Sequence, residues 1–174
     1  AKLGLAEFQS DTDEELVKEL LSMLQLAETD MTIFYRQLAT IDCEQDPSST
    51  GLSPRERMAP LMEAYYVADQ LTDEVCETTA NWLDRYHNRV RQDNTTNANR
   101  REQMNRVNPK YVLRNYLAQM AIDRSEQGDH GLISELLDVL RNPYDEQPDK
   151  QEFAKRRPDW ARHRPGCSML SCSS

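Results

Sequence analysis

Apolar residues recur at intervals of three and four along most of the chain, the spacing that places side chains on one face of an α-helix. The segment from Thr72 to about Arg91 shows this spacing most clearly, and we predict one long amphipathic helix there. Its apolar face comprises Leu71, Val75, Thr79, Trp82, Leu83, Tyr86 and Val90. The same spacing elsewhere predicts an all-α protein.

Two periodic segments near the start predict a pair of helices. Thr12 and Glu15 have the spacing of a capping box and predict the start of the first helix, and Asp30 predicts the cap of the second. Because the join between them is short, we expect antiparallel neighbours, so that residues 1–42 form a helical hairpin. The apolar positions are Leu16, Val17, Leu20, Leu21 and Leu24, then Ile33, Phe34, Leu38 and Ile41.

Polar segments separate the predicted helices. Residues 43–52 predict a surface loop, and the Ser-Pro-Arg-Glu run at 53–56 predicts another capped helix. Pro60 removes a backbone donor and crowds the preceding turn, so we expect a kink or two short helical pieces around it. Residues 92–99 are rich in Asn and Thr, whose side chains compete with helical hydrogen bonds, and predict an exposed loop.

Two more helices complete the predicted antiparallel bundle. The first opens at Asn108-Pro109 and ends at Gly128, and Asp129 then caps the second. Their apolar positions are Val112, Leu113, Tyr116, Leu117, Met120 and Ala121, then Leu132, Ile133, Leu136, Leu137 and Leu140.

The segment after the last helix has little apolar periodicity and contains four of the eight prolines. It predicts an extended tail that would contact the helices through Tyr144, Phe153 and Trp160. We therefore predict two regions, a helical region at 1–140 and a proline-containing tail at 141–174.

Composition narrows the class of protein. The 174 residues include 21 Lys and Arg and 30 Asp and Glu, a net charge of −9, and only 33 are Leu, Val, Ile or Phe. Such a composition is close to that of disordered proteins. The chain has only 13 Gly and Pro residues, however, and its apolar residues recur at helical spacing, so we predict a folded protein with a small apolar core. No apolar run reaches the roughly 18 residues of a membrane span. The sequence lacks an initiating Met, and we expect it to be part of a longer polypeptide.

The four cysteines are Cys43, Cys76, Cys167 and Cys172. They are too few and too far apart for a secreted disulfide scaffold, so we expect a reducing, cytoplasmic location. His163, Cys167 and Cys172 lie near one another in sequence, but their spacing matches no zinc motif, and we predict no metal site. We predict that Cys43 is an ordinary thiol in a loop and Cys76 an ordinary thiol in the core. Cys172, the third residue from the end, is a candidate redox thiol, the alternative being an inert terminal cysteine.

Other candidate chemistry has a structural explanation that we favour. The Asp-x-Gly pattern at 129–131 resembles the metal-binding Asp of kinases, but a Gly-rich loop and a catalytic Asp with its following Asn are not found upstream, so we interpret it as a helix junction. His87 has no supporting Ser, Cys or His nearby, and we predict a surface residue.

A basic segment extends from Arg85 to Arg114, where eight Lys and Arg face two acidic residues. Such a segment could bind nucleic acid through phosphates. We favour the alternative that these cations pair with the first fifty residues, which hold eleven acidic and three basic side chains.

Several sequence motifs resemble the C-terminal part of the selenoprotein O family. The longest is the run from Met104 to Gln119, Met-Asn-Arg-Val-Asn-Pro-Lys-Tyr-Val-Leu-Arg-Asn-Tyr-Leu-Ala-Gln, and the next is Leu-Arg-Asn-Pro-Tyr-Asp-Glu-Gln-Pro at 140–148. Shorter matches are Lys2 to Leu5, Trp82-Leu83 with Tyr86, Pro158 to Ala161, and the terminal Cys172-Ser173-Ser174. Together they span nearly the whole chain in order.

The resemblance implies a kinase-like protein adenylyltransferase, which moves AMP from ATP to protein hydroxyls with Mg or Mn. It implies that this chain is the helical C-terminal portion, that catalytic, ATP-binding and metal residues lie upstream, and that no residue here carries them. Cys172 resembles the sulfur version of a position that is often selenocysteine in the family. We therefore expect a scaffolding and redox-regulatory segment whose partners are the N-terminal kinase-like region and protein substrates, with no membrane or nucleic acid. The alternative is an independent helical protein-interaction module.

Overall fold

The computed structural model describes residues 1–44 and 51–167, and within them the regular elements are helices. The α-helices are α1 (Ser10–Met23), α2 (Met31–Leu38), α3 (Pro54–Arg57), α4 (Asp73–Gln92), α5 (Asn97–Val107), α6 (Asn115–Glu126) and α7 (Gly131–Arg141). Short 3-10 helices occupy Ala59–Ala64, Ala68–Gln70, Pro148–Ala154 and Asp159–Ala161. The predicted all-α class is confirmed, and none of the described helices is long and apolar enough to span a bilayer.

The chain forms two compact units, Ala1–Asn108 and Pro109–Ser174, each with its own apolar core. The sequence-based division at residue 140 separates helices from the proline-containing segment. The structural division falls earlier, because that segment packs on the two helices that precede it: Phe153 and Ala161 are buried with side chains of α6 and α7.

In the first unit, the long helix α4 is the centre of packing. Helix α1 packs on α4, as does α3, while α2 packs chiefly on the 3-10 helix Ala59–Ala64. The predicted pairing of the first two helices as a hairpin is therefore wrong, although both helices exist. The two helices pack on different partners, and Trp82 of α4 interacts with both of them: it donates to the Leu16 carbonyl at 2.9 Å, and its ring centroid lies 6.4 Å from that of Phe34.

Local capping signals mark the starts of α2 and α3 correctly. Asp30 accepts from the backbone N–H of Ile33 at 3.1 Å, and Ser53 and Glu56 form the predicted reciprocal capping box. Helix α3 ends at Arg57, and the 3-10 helix Ala59–Ala64 then contains Pro60 in its first turn, which confirms the prediction of two short pieces. The predicted caps at Thr12 and Asp129 are wrong, because α1 already begins at Ser10 and the N-cap of α7 is His130.

Helix α5 was not predicted from the sequence, which placed an exposed loop at residues 92–99. Thr96 accepts from the backbone N–H of Asn99 at 3.3 Å and caps a helix of eleven residues. Only Arg100 and Met104 of this helix are buried, so it has no apolar stripe. The loop prediction is therefore wrong from Asn97 onward. This polar segment is helical because Thr96 caps it and because Arg100 and Met104 are buried.

In the second unit, α6 starts at Asn115, seven residues after the predicted start at Asn108. The intervening chain is held by the Pro143 carbonyl, which accepts from the backbone N–H groups of Lys110 and Tyr111. Leu113, predicted to face the core, is 55 % exposed. Tyr116, Leu117 and Ala121 are buried as predicted.

The segment after α7 is more ordered than the extended tail that the sequence predicted. In its described part it forms the 3-10 helices Pro148–Ala154 and Asp159–Ala161. Phe153 is buried, whereas Tyr144 and Trp160 are each nearly half exposed. Of the three aromatic residues expected to anchor this segment, Phe153 is therefore the one in the core, while Trp160 meets the ring of Tyr116 edge-on.

Candidate functional site

The described cysteines are buried free thiols. Cys43, Cys76 and Cys167 each lie in an apolar core. Burial raises the pKa of Cys43 to about 11, an effect that the charge of Arg100 opposes. A thiol that stays protonated at neutral pH is a poor nucleophile. Cys172, the candidate redox thiol, lies outside the described residues.

Two residues that were weighed as metal ligands and not favoured, His163 and Cys167, lie in the second unit. Cys167 is buried and His163 is exposed. Within residues 1–44 and 51–167, no three side chains of His, Cys, Asp or Glu are positioned to hold a metal ion.

The Asp-x-Gly pattern is a helix junction, as predicted. Gly128 has a φ of +85° and ends α6, and Asp129 accepts from the backbone N–H of Gly131 at 2.9 Å. The Ser125 hydroxyl lies 2.8 Å from His130 Nδ1 across the same turn.

Basic side chains between Arg85 and Arg114 form ion pairs with acidic residues in different parts of the chain. Arg85 and Arg89 pair with acidic residues of α1, which confirms the predicted pairing for these two cations. Arg106 and Lys110 pair instead with Glu102 and Glu146, which lie outside the first fifty residues.

Arg89 is the centre of an ionic cluster whose burial and individual partners the sequence did not indicate. Its Nε and Nη2 donate to the two oxygens of Asp13 at 2.6 and 3.0 Å, and its Nη1 donates to Asp93 at 2.7 Å. Nη2 also donates to the Glu7 carbonyl at 2.7 Å. Arg89 is 6 % exposed and Asp13 is fully buried, so these charges interact with little screening by water.

The cluster also ties down the backbone of the N-terminal segment. Asp13 accepts from the backbone N–H of Gln9 at 2.7 Å, and Asp93 accepts from that of Ala6 at 2.8 Å. Burial alone would raise the pKa of Asp13, but the hydrogen bonds from Arg89 and Gln9 and the charge of Arg89 outweigh it and lower that pKa below its usual value. The carboxylate is therefore held in its charged form.

Arg100 of α5 is fully buried and acts on the end of α2. It donates to the carbonyls of Leu38 and Ile41 and, at 2.9 Å, to the hydroxyl of Tyr86. A cation at the C-terminal carbonyls of a helix is favoured by the helix dipole. Gly4 packs directly on Arg100: a Cβ at that position would lie 2.7 Å from the arginine Cγ.

The prediction that His87 is a surface residue is wrong. It is 5 % exposed, with Nδ1 at 2.8 Å from the Leu83 carbonyl and Nε2 at 2.9 Å from the Asp42 carbonyl. The ring therefore links α4 to the chain after α2. Sequence reasoning looked for catalytic neighbours of His87 and missed this role because both partners are backbone atoms.

These contacts join parts of the first unit that are distant in sequence, and they expose no cation or nucleophile to a substrate. Asp13 and Arg89 are 76 positions apart, and Arg100 and Leu38 are 62 apart. Two sequence signals pointed to the cluster: the local spacing of Arg89 and Asp93, and the excess of acidic residues in the first fifty positions. The arrangement holds the helices of the first unit together.

Comparison with known proteins identifies the family. A model of the family described as protein adenylyltransferase SelO matches residues 1–141. Since this match covers most of the chain, the chain belongs to the SelO family. The resemblance noted in the sequence is thereby confirmed.

Curated relatives named protein nucleotidyltransferase YdiU are similar along the whole chain. The relative from Rhodopirellula baltica is 56 % identical over 176 residues, which cover 99 % of this chain and 33 % of the relative. The relatives from Aromatoleum aromaticum and from Azoarcus sp. are 53 % and 49 % identical, each covering 100 % of this chain and 31 % of the relative. The chain thus spans about a third of the length of these relatives.

Proposed function

We propose that this chain is the C-terminal helical portion of a protein adenylyltransferase, an enzyme that transfers AMP from ATP to Ser, Thr or Tyr hydroxyls of proteins. The observation that carries the proposal is the family match over residues 1–141 together with relatives about three times as long. The role proposed for the chain is to support the kinase-like region that the relatives have outside it. The protein substrates would be bound by the whole enzyme.

The buried contacts of the first unit support a scaffolding role. Arg89 and Arg100 direct their charge at internal carboxylates and carbonyls, where a nucleotide phosphate has no access. Both side chains are almost entirely buried, so they stabilise the relative positions of helices.

ATP and Mg or Mn would belong to the remaining polypeptide. The described residues offer no cluster of ligands suited to a divalent metal, and we assign no step of the transfer to them. When bound by the whole enzyme, the metal would neutralise phosphate charge during AMP transfer. A cytoplasmic location and a redox role for Cys172 remain parts of the proposal.

The test compares the intact protein with residues 1–174 alone, using ATP labelled on the α-phosphate and a protein acceptor. We expect transfer of label by the intact protein with Mg or Mn and none by the isolated chain. Labelling by the isolated chain would contradict the assignment of catalysis to the remaining polypeptide. Failure of the intact protein to label any acceptor, while it binds ATP, would contradict the proposed activity.

A further inference from the structure

Helix α7 has an apolar surface that its own core covers only in part. Six of its eleven residues are apolar. At about 100° per residue they occupy one continuous arc of roughly 160°, which exceeds the minimum of about 100° for a core-facing stripe. In order around the helix, the arc runs through Val139, Leu132, Leu136, Leu140, Ile133 and Leu137.

Burial divides this arc into two parts. Val139, Leu132 and Leu136 are at most 5 % exposed and belong to the core of the second unit. Ile133 and Leu137 are 39 % and 55 % exposed. They lie four residues apart, so their side chains are neighbours and form one apolar patch on the outer edge of the arc.

The polar, solvent-exposed side of α7 is separate from this apolar patch. Asp138 and Arg141 form an ion pair of 2.7 Å in which both side chains are at least 70 % exposed, and Ser134 is exposed beside them. This polar side is where a solvated face is expected. The patch of Ile133 and Leu137 therefore fits an apolar protein surface and not an anionic ligand.

Resting on the proposed function, we propose that the patch of Ile133 and Leu137 docks against the polypeptide that relatives carry outside this segment. That polypeptide makes up about two thirds of the relatives, and α7 is the last helix inside the family match. A second copy of the chain is a poorer occupant. Two partly exposed side chains supply far less than the roughly 600 Å² per partner that the smaller stable interfaces bury, whereas docking within one chain avoids the cost of association.

Thiol accessibility in the intact protein tests this docking. Leu137→Cys and the matched control Ser134→Cys are each made in a Cys172→Ser background, where the other described thiols are buried. We expect a soluble maleimide to label Leu137→Cys at least about tenfold more slowly than Ser134→Cys in the native protein, and both at the same rate in urea. Ile133→Cys should behave like Leu137→Cys.

Equal native labelling of the two cysteines would overturn the proposal. Protection that disappears on dilution, together with dissociation of a dimer in the ultracentrifuge, would assign the patch to a second copy and overturn it as well. AMP transfer measured on the same samples keeps the two claims apart. Protection without transfer by the unmodified protein supports docking and contradicts the proposed activity, whereas transfer without protection does the reverse.

Discussion

The two units of this chain both have an apolar core, but they differ in their buried polar contacts. Among the described residues, the buried polar and charged side chains all lie in the first unit, and they are Asp13, Asp30, Thr79, His87, Arg89, Arg100 and Asn108. The second unit buries aromatic and aliphatic side chains and Cys167. Residues 1–108 also carry the whole net charge of −9, whereas residues 109–174 hold ten basic and ten acidic residues.

This difference shows how buried polar groups fix the arrangement of helices around a small apolar core. Buried polar groups are costly unless they are paired, so each one in the first unit fixes a particular partner and orientation. Apolar contacts are less directional and depend on the amount of surface covered. We therefore expect the first unit to be sensitive to the loss of a partner, and the second to the loss of volume.

The largest effect should come from breaking the ionic cluster. Arg89→Leu leaves Asp13 buried without its cation, and we expect the free energy of unfolding to fall by about 3–5 kcal/mol in urea denaturation. Arg85→Leu is the matched control, because Arg85 is 46 % exposed and its ion pairs with α1 are solvated, so the expected cost is about 1 kcal/mol or less. Equal costs for the two arginines would show that burial of the cluster has no energetic importance.

Removal of volume should dominate in the second unit. Leu136→Ala empties a position that is 5 % exposed in the core, with an expected cost of about 2–4 kcal/mol. Its neighbour Leu137 is 55 % exposed, and Leu137→Ala should change the stability of this chain by about 0.5 kcal/mol or less. Urea denaturation followed by circular dichroism measures both. A large effect of Leu137→Ala in the isolated chain would mean that its side chain is already covered there.

Local signals in the sequence were enough to predict part of this fold. The stripe of α4 and the caps at Asp30 and Ser53 depend on residues within one or two turns, and these predictions are confirmed. Helix α5 was missed because its two buried residues, Arg100 and Met104, do not form an apolar stripe. Periodicity cannot identify a helix whose buried side chain is an arginine.

The individual partners in the buried contacts of the first unit could not be predicted for a different reason. The charge balance predicted that Arg89 pairs with the acidic first fifty residues, but Asp13 becomes its partner through the packing of α1 on α4, and their 76-residue separation leaves no mark in local sequence. The partners of His87 are backbone carbonyls, which every residue has. The sequence indicated the family through its motifs, but the physical roles of these residues became visible only in the folded chain.

Replacing a glycine by alanine in either unit should lower the free energy of unfolding by a smaller amount. Gly4 and Gly128 both have positive φ, but a Cβ at Gly4 would lie 2.7 Å from Arg100, whereas nothing lies within 4 Å at Gly128. Gly128→Ala should therefore cost about 1 kcal/mol from backbone strain alone, and Gly4→Ala about 1–2 kcal/mol more. Urea denaturation of both variants measures the difference. Equal costs would mean that the N-terminal segment shifts freely on Arg100.

The smallest effect concerns acid, and it compares two carboxylates whose pKa values are both lowered. Burial opposes the effect of Arg89 on the pKa of Asp13, whereas the pKa of the partly exposed Asp123 is lowered by hydrogen bonds from Gln119 and Arg164. A lowered folded-state pKa means that stability is present above the unfolded value of about 3.9 and is lost as pH falls through the folded value. Each group changes the pH slope by at most about 1.4 kcal/mol per pH unit, since it binds one proton.

Asp13→Asn and Asp123→Asn should therefore both flatten the loss of stability between pH 6 and pH 3, measured by urea denaturation at each pH. Added salt distinguishes them in degree, because solvent ions screen the partly exposed pair of Asp123 and Arg164 and do not reach Asp13. In 0.5 M NaCl we expect the effect of Asp123→Asn to shrink to the part that the hydrogen bond from Gln119 supplies, while the effect of Asp13→Asn stays the same. If salt reduced both effects equally, the ionic cluster of the first unit would be as solvated as the ion pair of the second, and the contrast between the two units would not hold.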